Sequence, residues 1–174
     1  MEHRHLQRLD DSAYEGFAQV HWTFSVKDRQ TGWLDELFHL QFRVLLLHSL
    51  SRYEAVCPAY CLMPERLHLV IMGRSEECCQ KNLVRFLRKH SNALLKAKSC
   101  EWQKQAYDNV LREKDRERDA FAKVIGYLNE NPVRAGYVEL WKEWDFSGCM
   151  VPGYPELDPF SDDYWDRFWR IHYP

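Results

Sequence analysis

The residues able to do chemistry sit in two short stretches. The first runs Ala59-Tyr60-Cys61-Leu62-Met63-Pro64-Glu65-Arg66-Leu67-His68-Leu69-Val70-Ile71-Met72. Its pattern predicts two strands joined by a tight turn at Pro64-Glu65. In the second strand Leu67, Leu69 and Ile71 share one face. Arg66 and His68 share the other, with Val70 and Met72 following. A strand that places an arginine and a histidine two apart on a non-core face presents them to a ligand. The imidazole offers a lone pair, and the guanidinium offers a fixed charge with donors that match phosphate. The second stretch lies on a helix expected from about Arg116 to Glu130. Ala120, Phe121, Val124, Ile125 and Leu128 face its core. Tyr127 sits at the edge of that face, in line with Lys123 one turn before and Asn131 one turn after. Pro132 disfavours helix at Asn131, which places the amide at the helix C-terminus. A tyrosine phenol can act as a nucleophile, and a lysine one turn away on the same helix can pair with an anionic group.

The rest of the chain must position these side chains. Residues 18–26 alternate: Val20, Trp22, Phe24 and Val26 point one way, and Gln19, His21, Thr23 and Ser25 the other, as in a half-buried strand. Trp33 to Leu50 reads as a helix with an apolar stripe of Trp33, Leu37, Leu40, Val44 and Leu47, and with Thr31 as its N-cap. Tyr53 to Leu62 is the next strand, and Pro58 inside it signals an edge or a bulge. Glu76 to Lys96 is a long helix with Ser75 as its cap. Leu83, Phe86, Leu87 and Leu94 form its buried face, and Lys81, Arg85, Arg88, Lys89, Asn92 and Lys96 the opposite one. Cys100 to Leu111 is a short strand or extended segment. The tail is rich in aromatics, from Trp141 to Tyr173, and Tyr164, Trp165, Phe168 and Trp169 have helical spacing. Packing of a C-terminal helix is the plain reading of that tail. Base stacking is the sharper one, but Asp158, Asp162, Asp163 and Asp166 would repel phosphates.

Composition excludes several classes. With 174 residues and 45% hydrophobic content, the chain can bury a core as one domain. No run approaches the ~18 apolar residues of a membrane span, and the polar N-terminus lacks a signal-peptide core. A cytoplasmic protein is expected. The six cysteines form no C-x-x-C pair, so they read as reduced, small apolar residues. Net charge is −2, but it is segregated. Residues 81–123 hold twelve Lys/Arg against six Asp/Glu, and residues 139–174 hold three against eight. A basic middle and an acidic tail suit an anionic partner better than the net charge suggests.

Several motifs resemble one family, the REP-associated tyrosine transposases, which are single-tyrosine, HUH-type enzymes. Tyr60 to Leu69 is similar to its "Y-x-x-M-P-N-H-V-H-L" signature. His21-Trp22-Thr23 resembles its first-strand "H-V-T". Trp102, Tyr107, Asp108, Val110 and Arg112 match "W-x-x-x-x-Y-D-H-V-x-R", with Asn109 at the histidine. Gly126 to Val138 resembles "Y-I-x-x-N-P-V-R-A-G-L-V" nearly letter for letter. Trp144 to Ser147 looks like the start of "W-P-W-S-S". The resemblance covers most of the chain in order. It implies an α+β fold: a ferredoxin-like antiparallel sheet with helices packed on one face, and the helix of Tyr127 over the open face that carries Arg66, His68 and His21. The aromatic tail would pack at the edge. It also implies a lead-in over residues 1–17, the transposase-like domain over 18–147 and the acidic, aromatic tail over 148–174. The implied activity is recognition of single-stranded or hairpin DNA and its nicking through a covalent phosphotyrosine. Tyr127 would be the nucleophile and His68 and Asn131 the ligands of a divalent cation, Mg²⁺ or Mn²⁺. Lys81, Arg85, Arg88, Lys89, Lys96, Lys123 and Arg134 would contact DNA. The resemblance implies no membrane partner, and monomer and homodimer both stay open.

The chain departs from the pattern at one metal ligand, because Arg66 stands where the family has its first histidine. Arginine stays protonated and donates no lone pair to a metal. At ~5 Å and an effective dielectric of ~20, its repulsion of a divalent cation is on the order of 6–7 kcal/mol, close to the ~8 kcal/mol of micromolar binding. The cation site is therefore expected to be weakened or absent. Glu65 or His21 could substitute, Glu65 only if a bulge turned it to the other face. Arg66 could instead contact the phosphate itself. Alternative readings are a non-catalytic nucleic-acid-binding module on the same fold, and a domain that binds protein through its aromatic tail.

Overall fold

Period-two alternation builds a sheet whose two faces are both covered. In the computed structural model, which describes residues 9–172, five strands pair antiparallel in the order β4-β1-β3-β2-β5. They are β1 Gln19–Ser25, β2 Ala55–Met63, β3 Arg66–Gly73, β4 Tyr107–Val110 and β5 Ser147–Met150. Five helices accompany them: α1 Glu36–Arg52, α2 Gln80–Lys96, α3 Arg118–Asn129, α4 Asn131–Arg134 and α5 Tyr164–His172. The α+β class and the antiparallel sheet are as the sequence predicts. Residues 1–8 of the lead-in and Tyr173 lie outside the described residues.

On one face Val20, Trp22, Phe24, Leu67, Leu69 and Ile71 meet α1 and α2. Most polar groups inside this layer are matched, Arg88 Nε being an exception among the described residues. Gln80 accepts from Trp22 Nε1 and donates to the carbonyls of Ala18 and Ile71. Tyr60 Oη, fully buried, accepts from Arg43 and bonds His39. Burial pushes the Tyr60 phenol up to about 12, while burial and Arg43 push His39 down to about 4. Gly148 on β5 leaves room for this group, since a Cβ there would stand 2.8 Å from the Tyr60 oxygen.

On the other face Val56, Ala59, Cys61, Val70 and Met72 meet Phe121, Ile125 and Leu128 of α3 and Tyr164, Phe168 and Trp169 of α5. The tail thus packs further in than the edge position expected for it. Tyr164 Oη donates to the Pro58 carbonyl of β2 at 2.6 Å, and Phe121 meets Trp165 and Trp169 edge to face. The boundary expected at residue 147 falls inside β5, whose register with β2 ties the tail into the sheet.

Other local readings are corrected. The buried stripe of α1 is Phe38, Phe42, Leu46 and Leu50. Leu37, Leu40 and Val44 are 61–63% exposed, and Leu47 is exposed too. Both stripes have helical spacing, and the larger aromatic one took the core. Asp35 rather than Thr31 caps α1, accepting from the Phe38 N–H at 2.8 Å. The helix α2 begins at Gln80, and Ser75 donates to the Glu54 carboxylate instead of capping it. Pro58 does mark a bulge, with β2 slipping register between Val56 and Ala59. All six cysteines are free.

Candidate nucleic-acid interface

Register places the site. Thr23 lies opposite Tyr107 on one side and His68 on the other, and His68 lies opposite Cys61. Because alternate residues share a face, these four project to the side of the sheet that carries α3. Arg66 stands two residues on, at the sheet's open end between Ser25 and Met63. The turn before it is fixed by Trp33, whose indole donates to the Pro64 carbonyl at 2.6 Å.

The helix α3 crosses this face and passes through Glu130 into the short α4, where the Asn-Pro-Val-Arg run coils again with Pro132 in its first turn. Gly136, at φ +75, then reverses the chain and brings Tyr137 back beside α4. The result is a cleft of about 230 Å³ lined by Met63, Glu65, Arg66, His68, Asn131, Arg134, Ala135 and Tyr137. Residues some 65 apart in sequence meet here.

The electrostatics of the cleft are one-sided. Arg66 and Arg134 line it, and its carboxylate, Glu65, is bound to Arg66 at 2.5 Å. Glu65 reaches the cleft from the turn, so no bulge is needed. Burial, with His21, Arg66 and Arg134 adding repulsion, pushes His68 down to about 3, so the ring is neutral at pH 7. Its Nδ1 shares a hydrogen bond with Thr23 Oγ1 at 3.1 Å. His21 packs beside it, ring centroids 5.4 Å apart, and its buried Nε2 has no partner among the described residues. Burial lowers His21 as well.

Asn131 is already committed. Its Nδ2 donates to the Leu128 carbonyl at 2.7 Å, and its Oδ1 accepts from Arg134 Nη2 at 3.1 Å. The same Nη2 donates to the Tyr127 carbonyl at 2.8 Å, and the guanidinium carbon lies 3.8 Å from the centroid of the Tyr127 ring. Tyr127 is 66% exposed on α3. It borders the cleft through Arg134 and does not line it. Lys123 is exposed one turn earlier on the same helix.

The basic face of α2 is elsewhere, because α2 packs against the opposite face of the sheet. Lys81 pairs with Asp11 and lies 4.3 Å from the Tyr14 ring centroid. Arg85 donates to Asn82. Arg88 is half-buried over Phe24 and donates to the carbonyls of Gln103 and Lys104. Asn92 accepts from the Trp102 N–H. Lys89 and Lys96 are exposed. Fold geometry therefore separates Lys81, Arg85, Arg88, Lys89 and Lys96 from the cleft, and gives Arg88 a structural role.

Sequence reasoning missed Thr23 and Tyr137 as parts of this site. The alternation of β1 held a signal for Thr23, which shares a face with His21. Nothing local marked Tyr137, whose place depends on the reversal at Gly136.

No family model matches the chain. A curated REP-associated tyrosine transposase of Haemophilus influenzae is 23% identical over 140 residues, which span 72% of this chain and 76% of that protein. A solved REP-associated tyrosine transposase bound to a REP hairpin superposes with a TM-score of 0.68 at 18% identity, covering 100% of this chain and 89% of the other. The fold is that of the hairpin-bound transposase. Both proteins come from the family that the motifs of this chain resemble.

Proposed function

We propose that this chain recognises single-stranded or hairpin DNA at the cleft between β3 and α4, on the scaffold of the REP-associated tyrosine transposases and by descent from them. One observation carries the reading. Arg66, His68, Asn131 and Arg134 converge on one cleft, with Tyr127 held beside it by Arg134. Two guanidiniums against a single ion-paired carboxylate favour a phosphate there.

The donor set does not fit a divalent cation. His68 and the adjacent His21 offer two neutral imidazoles, but the Asn131 oxygen already accepts from Arg134, and Glu65 already pairs with Arg66. Either donor reaches a metal only by exposing it to a neighbouring arginine. Among the described residues no group of three or more His, Cys, Asp and Glu side chains is placed to hold a metal.

Tyr127 remains the nucleophile of choice for a nick. Its phenol oxygen would bond to phosphorus as the phosphorus–oxygen ester bond of the strand breaks. The phenol proton would pass to solvent, and the departing oxygen would take one up as a hydroxyl. Arg134, already against the ring, and Arg66 would stabilise charge on the phosphoryl oxygens.

A second reading, DNA binding without cleavage, is favoured by the committed state of Asn131. The third class, protein binding through the aromatic tail, is less favoured because Phe168 and Trp169 are buried against the sheet, which leaves Tyr154 as the tail's exposed large aromatic among the described residues. The deciding experiment incubates the protein with hairpin-bearing single-stranded DNA, with and without Mn²⁺, and resolves it on a denaturing protein gel. A covalent band lost in Tyr127→Phe establishes nicking. Binding without the band establishes the recognition module, and failure to bind at low salt refutes both.

A further inference from the structure

We infer that the cleft holds one unpaired nucleotide without any divalent cation: Arg66 and Arg134 take its phosphate, and Tyr137, backed by Trp144, stacks on its base. This rests on the DNA-binding reading above and specifies what that site takes.

Tyr137 is 49% exposed and lines the cleft together with the two arginines. A tyrosine that served only the core would be covered. Its ring instead stacks on Trp144 with centroids 5.4 Å apart and planes 28° from parallel. Trp144 cannot yield, because its Nε1 donates to the Leu62 carbonyl of β2 at 2.8 Å and Phe146 meets it edge to face. The Tyr137 N–H donates to the Pro132 carbonyl at 2.9 Å, which fixes the backbone of the platform to α4. The two rings form a rigid stack with the outer one presented to the cleft. Every base has a π-face, so such a platform holds a nucleotide whatever its sequence. A base inside a duplex has both faces covered, and a terminal pair, two bases wide, is too broad for a cleft of about 230 Å³, so an unpaired base is the occupant that fits.

The phosphate side follows from what the arginines leave unused. Arg66 has five N–H donors, and its bond to Glu65 is a half-exposed pair of little strength. Arg134 is oriented by Tyr127 and Asn131, so its ordering cost is met before any ligand arrives. The pair supplies charge where a cation would otherwise be needed. A chelator should therefore leave binding intact.

The test is fluorescence anisotropy at low salt with two hairpins of the same stem, one blunt and one with a short unpaired flank carrying 2-aminopurine, in EDTA and in Mn²⁺. The flanked hairpin should bind more tightly than the blunt one, equally in both buffers, with quenched 2-aminopurine. Tyr137→Leu should weaken the flanked hairpin by about tenfold and relieve the quenching, while Tyr137→Phe retains both. Arg66→Gln should reduce the salt slope for the flanked hairpin by about 0.7 without changing the circular dichroism spectrum. Equal affinity for the two hairpins, unquenched 2-aminopurine or loss of binding in EDTA overturns the inference while the DNA-binding reading stands. Failure of both hairpins to bind overturns both.

Discussion

The two faces of the sheet begin from the same strands and end as different surfaces. Under α1 and α2 the layer is dry, and most of its buried polar groups are partnered, Gln80 with Trp22, Ser91 with Trp102 and Tyr60 with Arg43, with Arg88 Nε an exception among the described residues. Under α3 and α5 the layer is equally apolar around Cys61, Val70 and Phe121. Toward the Arg66 end it opens into a cleft lined by two arginines, and beside the cleft's His68 the buried His21 Nε2 has no partner among the described residues. Matched polar groups specify a fold, whereas clustered like charges cost stability and persist where a ligand of opposite charge compensates them. The two arginine sets illustrate this. Arg88 on the dry face gives both terminal nitrogens to backbone carbonyls, and Arg66 gives one to the Glu65 carboxylate with its side chain 42% exposed.

The comparison is sharpened first by core truncation. Phe42→Ala on the dry face and Phe121→Ala on the other should each cost about 3–5 kcal/mol in denaturant unfolding. A much smaller loss for Phe121 would mean that α3 is only loosely seated. Next come the arginines. Arg88→Ala should cost about 1–3 kcal/mol by stripping the 103 and 104 carbonyls of their donor, with DNA affinity per folded molecule retained. Arg66→Ala should stay within about 0.5 kcal/mol and weaken DNA binding. Reversed outcomes would move the DNA surface to α2. Arg66→His, which removes the repelling charge and adds an imidazole, should raise Mn²⁺-dependent cleavage of a hairpin. No gain from a folded variant would count against Arg66 as the obstacle to the cation.

Acid tests both faces at once. His39 on the dry side and His68 in the cleft have folded values pushed down to about 4 and about 3. The unfolded chain takes up protons near ~6.5, so it binds more protons than the folded one below that pH. Stability should be complete above pH ~6.5 and fall as pH drops toward 4 and then 3. Thermal melts of His39→Gln and His68→Gln should each flatten part of that slope. The smallest effect is expected from Lys89→Ala with Lys96→Ala. These residues lie across the sheet from the cleft, so the salt dependence of hairpin binding should not change. A drop of about 0.7–0.9 per lysine would show that DNA wraps onto α2.

Much of the fold was legible because it depends on local periods. Alternation assigned β1 and β3 and put His21, Thr23, Arg66 and His68 on one side. Pro58 announced the bulge, and the Phe121, Ile125 and Leu128 spacing found α3. The face of α1 was not legible. Leu37, Leu40 and Val44 have helical spacing just as Phe38, Phe42 and Leu46 do, and the larger aromatic stripe took the core. The place of the basic row of α2 was not legible either, since one sign of charge on a helix does not say which side of the sheet the helix covers.

Residue type and near-neighbour spacing by themselves determined the candidate groups: a phenol at Tyr127, an imidazole at His68, and an arginine where the resemblance expects a second imidazole. Tertiary structure decided what those groups meet. It set Arg134 against Tyr127 and Asn131, carried Tyr137 into the cleft, and sent the lysines of α2 to the far side. The physical reason is that side-chain chemistry and local periodicity are properties of a few consecutive residues. Charge cancellation, burial and access depend on atoms some 65 residues apart, which only the closed sheet and the turn at Gly136 bring together.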